Sequence, residues 1–152
     1  MSRDARRKPL TKDMLLPLPI AKVRAMSLEN HLALEALRSG HGNVEQIFYL
    51  LRVVYLSYFL RDKGAQSGGM IEMFRAAEVA LERSVTRAEN KQGWSLPGDD
   101  QARLQGILAL HDRQLSTVPL HRFTAAGERL QRFASSNALS PLTLPECAGP
   151  DR

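Results

Sequence analysis

Residues 43–60 read NVEQIFYLLRVVYLSYFL, and this stretch decides the fold. Asn43 can cap a helix with its side chain, and Gln46 three residues later approximates a capping box. From Ile47 to Leu60 the only charged residue is Arg52, so the segment is apolar on nearly every side. Its β-branched and aromatic residues would also suit strands, but about 18 residues without a turn signal favour a helix. The stretch therefore predicts a central helix that is surrounded by other helices.

Upstream of this stretch the sequence predicts several short elements. Thr11 can open a short turn, and Pro19 is well placed to begin a short helix that ends at Met26. Ser27 is then a candidate N-cap for the next helix. Gly40 is expected to end that helix, because glycine adopts the left-handed backbone conformation of a helix end at little cost.

Downstream, three further helices are expected. Residues 70–90 have apolar residues at three- and four-residue steps, which is the pattern of an amphipathic helix. A loop follows in which Trp94 packs back against the core, and Asp99 or Asp100 caps the next helix. Pro119 begins the last helix.

These elements predict an all-α protein: a compact bundle of about four long helices plus short N-terminal helices. We divide the chain into a basic disordered arm at 1–10, a helical domain at 11–134 and a Pro-containing disordered tail at 135–152. Residues 64–69 are predicted to form a flexible connector.

The net charge of the chain is concentrated at its N-terminus. The first 24 residues contain seven basic and two acidic residues, and their net charge of +5 equals that of the whole chain. The remaining residues contain 14 of each sign. The basic residues are Arg3, Arg6, Arg7, Lys8, Lys12, Lys22 and Arg24. A basic arm on a neutral body can contact a polyanion while the body does something else.

This charge distribution predicts a nucleic-acid contact that binds phosphates without reading sequence. The predicted contact residues are Arg3, Arg6, Arg7, Lys8 and Lys12. A terminus that only aids solubility is the competing interpretation. The last helix, with Arg122, Arg129 and Arg132, is a second candidate basic surface.

An alternative function is a protein–protein interaction module that forms a homo-oligomer. The central helix and the face with Met70, Met73 and Phe74 contain more apolar surface than a small bundle needs for its own core.

Catalytic motifs are sparse. His111 and Asp112 form the dipeptide of metal-dependent phosphohydrolases, but that chemistry needs further ligands from other helices, so a histidine packed at the core edge is the competing interpretation. No Glu-x-x-His motif, glycine-rich phosphate loop or nucleophile elbow is present. We therefore expect a non-enzymatic protein with no cofactor and no metal site.

Ala36 and Gly40 have the spacing found in the turn of a DNA-reading helix-turn-helix. The following helix would present core residues to the bases instead of polar ones, so this segment is not expected to read DNA.

Cys147 is the only cysteine, so the chain cannot form an internal disulfide. No export signal is recognisable, and the longest apolar stretch is shorter than the roughly 20 residues that span a bilayer. A cytoplasmic protein without membrane contact is expected.

Several segments resemble a group of uncharacterised bacterial proteins labelled Fis-family transcriptional regulators. The shared features are Lys8-Pro9-Leu10, Leu15 to Pro19 (LLPLP), Ser27 to Leu34 (SLENHLAL), Gly40-His41-Gly42, the Tyr-rich helix, His111-Asp112 and Pro119. The resemblance covers most of the chain and implies a bacterial origin and an association with transcription regulation. The Fis label also implies a C-terminal helix-turn-helix, whereas here no second polar helix follows Ala134.

Overall fold

The computed structural model describes residues 8–62 and 67–143, and most of this part of the chain is helical. In chain order the helices are α1 (Lys12–Leu15), α2 (Ile20–Arg38), α3 (Val44–Leu60), α4 (Ser67–Glu89), α5 (Gly98–Thr117) and α6 (Leu120–Ala134), with a final 3₁₀ turn at Pro141–Thr143. The predicted all-α class is confirmed. Among the helices of these two ranges, none combines the length and apolarity needed to cross a bilayer.

Helix α3 is the centre of the bundle and packs against α2, α4, α5 and α6. Its N-terminus has the predicted capping box: the Asn43 side chain accepts from the amide of Glu45 at 2.7 Å, and the Gln46 side chain accepts from the amide of Asn43 at 2.8 Å. Nine of its residues are buried, from Ile47 to Leu60. The prediction of a surrounded central helix is confirmed.

Helix α2 differs from the prediction, because it is one continuous helix of 19 residues. Ser27 lies inside this helix and does not cap a second one. No proline or glycine interrupts the chain between Pro19 and Gly40, and a serine inside a helix costs little. The bundle thus contains five long helices instead of about four. The buried residues of α2 are Asn30, Leu34 and Leu37.

The turn between α2 and α3 is built on two glycines. Gly40 has φ of +80°, as predicted for the residue that ends the helix. The amide of His41 then donates to the carbonyl of Ala36 at 2.9 Å, which closes the end of α2. Gly42 lies against the Leu37 side chain so closely that a Cβ at this position would overlap it.

Helix α5 begins after Pro97, so the predicted capping by Asp99 or Asp100 is wrong. Both aspartates lie in the first turn, where negative charge is stabilised by the helix dipole. Asp100 is buried and binds Arg103 at 2.9 Å and Arg83 at 3.6 Å. The predicted inner face is confirmed, with Leu104, Ile107, Leu108, His111 and Leu115 all buried. Trp94 packs against the core, as expected.

The segment after α6 packs on the body as far as the structure describes it. We predicted a disordered tail from residue 135, but Ser140 and Leu142 are buried. The Ser140 hydroxyl donates to Glu78 Oε2 of α4 at 2.6 Å, and the Tyr55 hydroxyl donates to the same oxygen at 2.6 Å. This buried carboxylate holds residues 140–142 against the bundle. The rest of the predicted tail lies outside the described residues.

Candidate functional site

The N-terminal segment is attached to the body at the start of α6. Leu18 is buried, and Pro17 forms an isolated bridge with Pro119. The amide of Leu120 donates to the carbonyl of Leu16 at 2.8 Å, and α1 packs against α6. These contacts determine where the basic segment leaves the bundle.

The structure describes two of the five predicted phosphate contacts. Lys8 and Lys12 are exposed, and neither forms an ion pair within the described residues. Arg3, Arg6 and Arg7 lie outside the described residues, as does Cys147.

The arginines of α6 are largely engaged with the bundle. Arg122 binds Asp62 at 3.4 Å. The Arg129 guanidinium lies 4.8 Å from the centre of the Phe59 ring, in cation–π geometry. Arg132 is exposed. Arg122 and Arg129 thus contact the bundle, while both remain exposed, as Arg132 does.

His111 and Asp112 point to different parts of the molecule. His111 is 1% exposed, and its Nδ1 lies 2.9 Å from Ser57 Oγ in the core. Asp112 Oδ2 is 2.9 Å from Nε2 of His31 at the surface. Within the described residues, no three His, Cys, Asp or Glu side chains gather into a group that could hold a metal ion. The dipeptide therefore does not assemble the ligands that the hydrolase hypothesis needs.

The surroundings of His111 determine its protonation. Gln114 Nε2 donates to the carbonyl of Ser57 at 3.0 Å, which turns Gln114 Oε1 toward His111 Nδ1 at 3.4 Å. The Ser57 hydroxyl, at 2.9 Å from the same nitrogen, can donate to it or accept from it. Burial lowers the pKa of His111 against the opposing effect of the Gln114 hydrogen bond, so the ring is neutral at pH 7.

A cavity lined by apolar and polar side chains lies beside His111, between α2, α3, α5 and α6. Asn30 lines it and is 3% exposed, and its Nδ2 has no hydrogen-bond partner among the described residues. The Tyr49 hydroxyl donates to Glu29 Oε2 at 3.1 Å, and Arg52 completes the polar lining. Burial, followed by the Glu29 hydrogen bond, raises the pKa of Tyr49. Sequence analysis missed this cavity, although an asparagine among the apolar positions of α2 was a visible signal.

No family model, no curated protein and no solved structure matches the chain, so the resemblance to Fis-family regulators stays a prediction. The fold and the surfaces described above define a helical bundle with a basic N-terminal segment and a cavity beside His111.

Proposed function

We propose that the protein is a non-enzymatic bacterial regulatory or accessory factor whose basic N-terminal segment, residues 1–12, binds nucleic-acid phosphates. The observation that carries the proposal is the charge distribution, because the excess of basic over acidic residues in the first 24 positions equals the entire net charge of +5. The contact residues are Arg3, Arg6, Arg7, Lys8 and Lys12.

The described part of the segment supports this role in two ways. Lys8 and Lys12 are exposed and have no carboxylate partner among residues 8–62 and 67–143, so their charge is available to an external anion. Shortly after the segment, the Leu120 amide donates to the Leu16 carbonyl and attaches the chain to the bundle, so a polyanion bound to the segment would lie close to the body.

Counterion release gives the proposal a quantitative form. A protein that contacts about four to five phosphates on duplex DNA has a slope of log affinity against log salt near −4. The binding would not depend on sequence, because contacts to phosphates position a protein without reading bases.

The test is fluorescence anisotropy of a labelled generic duplex, titrated with the full chain at several salt concentrations. The double variant Lys8→Glu/Lys12→Glu should weaken binding and reduce the slope by about 2. The matched control Lys91→Glu/Arg113→Glu makes the same change in charge at exposed positions elsewhere. No binding at low salt, or equal losses in the two double variants, would contradict the proposal.

A second candidate function is self-association. The face with Met70, Met73 and Phe74 no longer supports it, because Phe74 is fully buried and both methionines pack against the core. A different observation does: five large apolar side chains near the N-terminus are 42–71% exposed. They are Leu10, Met14, Leu15, Leu16 and Ile20. Such a group is suited to contact with a second copy of the chain.

Light scattering coupled to gel filtration tests self-association. If the wild-type chain is a dimer, Leu15→Glu/Ile20→Glu should convert it to a monomer without loss of helical circular dichroism. A wild-type chain that is monomeric at high micromolar concentration would exclude this candidate.

A further inference from the structure

A groove with a volume of about 660 Å³ lies between α3 and α6 and is called the α3–α6 groove below. Its volume is within the range of about 300–1,000 Å³ that is typical of small-molecule sites. Each helix lines it with residues at three- and four-residue steps, which place them on one face of the helix. They are Phe48, Arg52 and Tyr55 on α3, and Gly127, Gln131 and Ala134 on α6.

The base of the groove is an aromatic pair that the core holds in place. Tyr55 and Phe133 meet edge to face, with their ring centres 5.4 Å apart. The Tyr55 hydroxyl is fixed by its hydrogen bond to the buried Glu78. Leu51 and Leu130 add to the apolar lining and are half-buried. The base is therefore formed before a ligand arrives, so binding requires little reordering of the protein.

Gly127 keeps the α6 side of the groove open. A Cβ at this position would meet nothing within 4 Å, so the space beside the α6 backbone is unfilled. A larger side chain here would occupy the space that a ligand needs, which makes the groove testable by substitution.

Arg52 supplies the charge of the groove. It is the only charged residue between Ile47 and Leu60, and it is exposed. Among residues 8–62 and 67–143, Arg52 has no ion-pair partner, and no acidic side chain lines the groove. A cation without a partner, next to an apolar base, is complementary to a ligand that joins one negative charge to an apolar body.

The dimensions of the groove indicate the length of that body. From Phe48 to Tyr55, and from Gly127 to Ala134, each wall covers about two turns of helix, or about 10 Å. With C–C bonds of about 1.5 Å and bond angles near 111°, an extended alkyl chain of about eight carbons covers this distance. Such a chain would also cover the Phe48 ring, which is 64% exposed.

We propose that the α3–α6 groove binds a free aliphatic monocarboxylate of about eight to ten carbons. The ligand carboxylate binds the Arg52 guanidinium, and the alkyl chain lies over Tyr55, Phe133 and Gly127. A second charge on the ligand is disfavoured, because it would lose water against apolar side chains without gaining a partner. An aliphatic cation is disfavoured because it would meet Arg52.

The test is isothermal titration calorimetry of the full chain with hexanoate, octanoate, decanoate and decylammonium, each below the concentration at which it forms micelles. Titrations at two temperatures are needed, because the heat of apolar burial changes with temperature. Affinity should rise by up to about fourfold for each methylene added between hexanoate and decanoate. Absence of decanoate binding, equal affinities for hexanoate and decanoate, or decylammonium binding as tight as that of decanoate would overturn the proposal.

Two variants locate the site. Gly127→Leu fills the groove and should weaken decanoate binding at least tenfold, whereas the matched control Gly106→Leu, at an equally open glycine of α5, should leave it unchanged. Arg52→Gln removes the cation from an exposed position, so it should weaken octanoate binding by up to about fivefold and leave the binding of octan-1-ol unchanged. Unchanged affinity for the acid in either variant would place binding elsewhere and overturn the proposal.

A second copy of the chain is the competing occupant of the groove. In that case, light scattering coupled to gel filtration would show a wild-type dimer that Gly127→Leu, but not Gly106→Leu, converts to a monomer. This result would overturn the proposal. A molar mass that Gly127→Leu leaves unchanged would support a groove that is open to the acid.

Discussion

Replacing Tyr55 by phenylalanine should destabilise the protein by about 2 kcal/mol, because it removes one of two hydroxyl donors to a buried carboxylate. The Tyr55 hydroxyl and the Ser140 hydroxyl both donate to Glu78 Oε2 at 2.6 Å, and Glu78 is 8% exposed. Burial, and then the hydrogen bond to Glu78, raises the pKa of Tyr55 above its usual range, so its hydroxyl stays protonated as a donor.

The magnitude follows from the charge and the burial of the acceptor. Hydrogen bonds to charged groups contribute about 1.5–3 kcal/mol, roughly twice the value for neutral pairs. In a chain of this length, about 2 kcal/mol lowers the thermal midpoint by about 4–8 °C. Because both donors share one oxygen, Tyr55→Phe/Ser140→Ala should lose about 0.5 kcal/mol or more beyond the sum of the single losses.

The assay is urea denaturation monitored by circular dichroism. An equal slope of the unfolding free energy against urea concentration in wild type and variants checks that unfolding is two-state. Tyr49→Phe is the matched control, since its hydroxyl donates to Glu29 at 3.1 Å in an exposed setting and should cost about 0.5 kcal/mol. A Tyr55→Phe loss no larger than that of the control would refute the reasoning.

Three further predictions concern pH and local geometry. Burial lowers the pKa of His111 in the folded protein, so as the pH falls the unfolded chain binds a proton before the folded one does. The free energy of unfolding should therefore be constant above about pH 6.5 and decrease below it by up to about 1.4 kcal/mol per pH unit. His111→Gln should flatten this dependence in urea midpoints measured from pH 7.5 to 5, and an unchanged pH profile would contradict the assignment. Asn43→Ala should cost about 1 kcal/mol by removing the α3 cap, with a thermal scan as the readout. Gly42→Ala should destabilise the protein by about 1–3 kcal/mol, because the added Cβ would overlap the Leu37 side chain. Gly106→Ala in α5, where a Cβ meets nothing within 4 Å, should instead stabilise it by about 0.5–1 kcal/mol. Equal shifts of the thermal midpoint in the two variants would refute both expectations.

The fold could be predicted wherever the signal was local. The capping box at Asn43 and the glycine at position 40 act on their own neighbours, and both are confirmed. Ser27 could not be interpreted in this way, because a serine serves as a cap or as an interior residue depending on whether the preceding helix continues. The burial of Ser140 could not be predicted for another reason, because it depends on Glu78, which lies 62 residues away along the chain.

The candidate site was less predictable than the fold. Charge along the sequence was enough to single out Lys8 and Lys12, since exposure of such residues needs no knowledge of packing. The cavity beside His111, in contrast, forms only where four helices come together. Asn30 shares the buried face of α2 with Leu34, so the sequence shows a polar residue in an apolar stripe but not what stands opposite it.

The central position of α3 has a consequence for synthesis of the chain. Leu56 and Leu60 pack against Val118, which directly follows α5, and against Ala126 in the middle of α6. Helix α6 begins about 60 residues after α3 ends. At about 5–20 residues per second, the ribosome needs roughly 3–12 s to synthesise the residues between the end of α3 and the start of α6. During this interval the most apolar helix of the nascent chain has one side without its native neighbour, so slow translation of α5 and α6 should favour aggregation over folding.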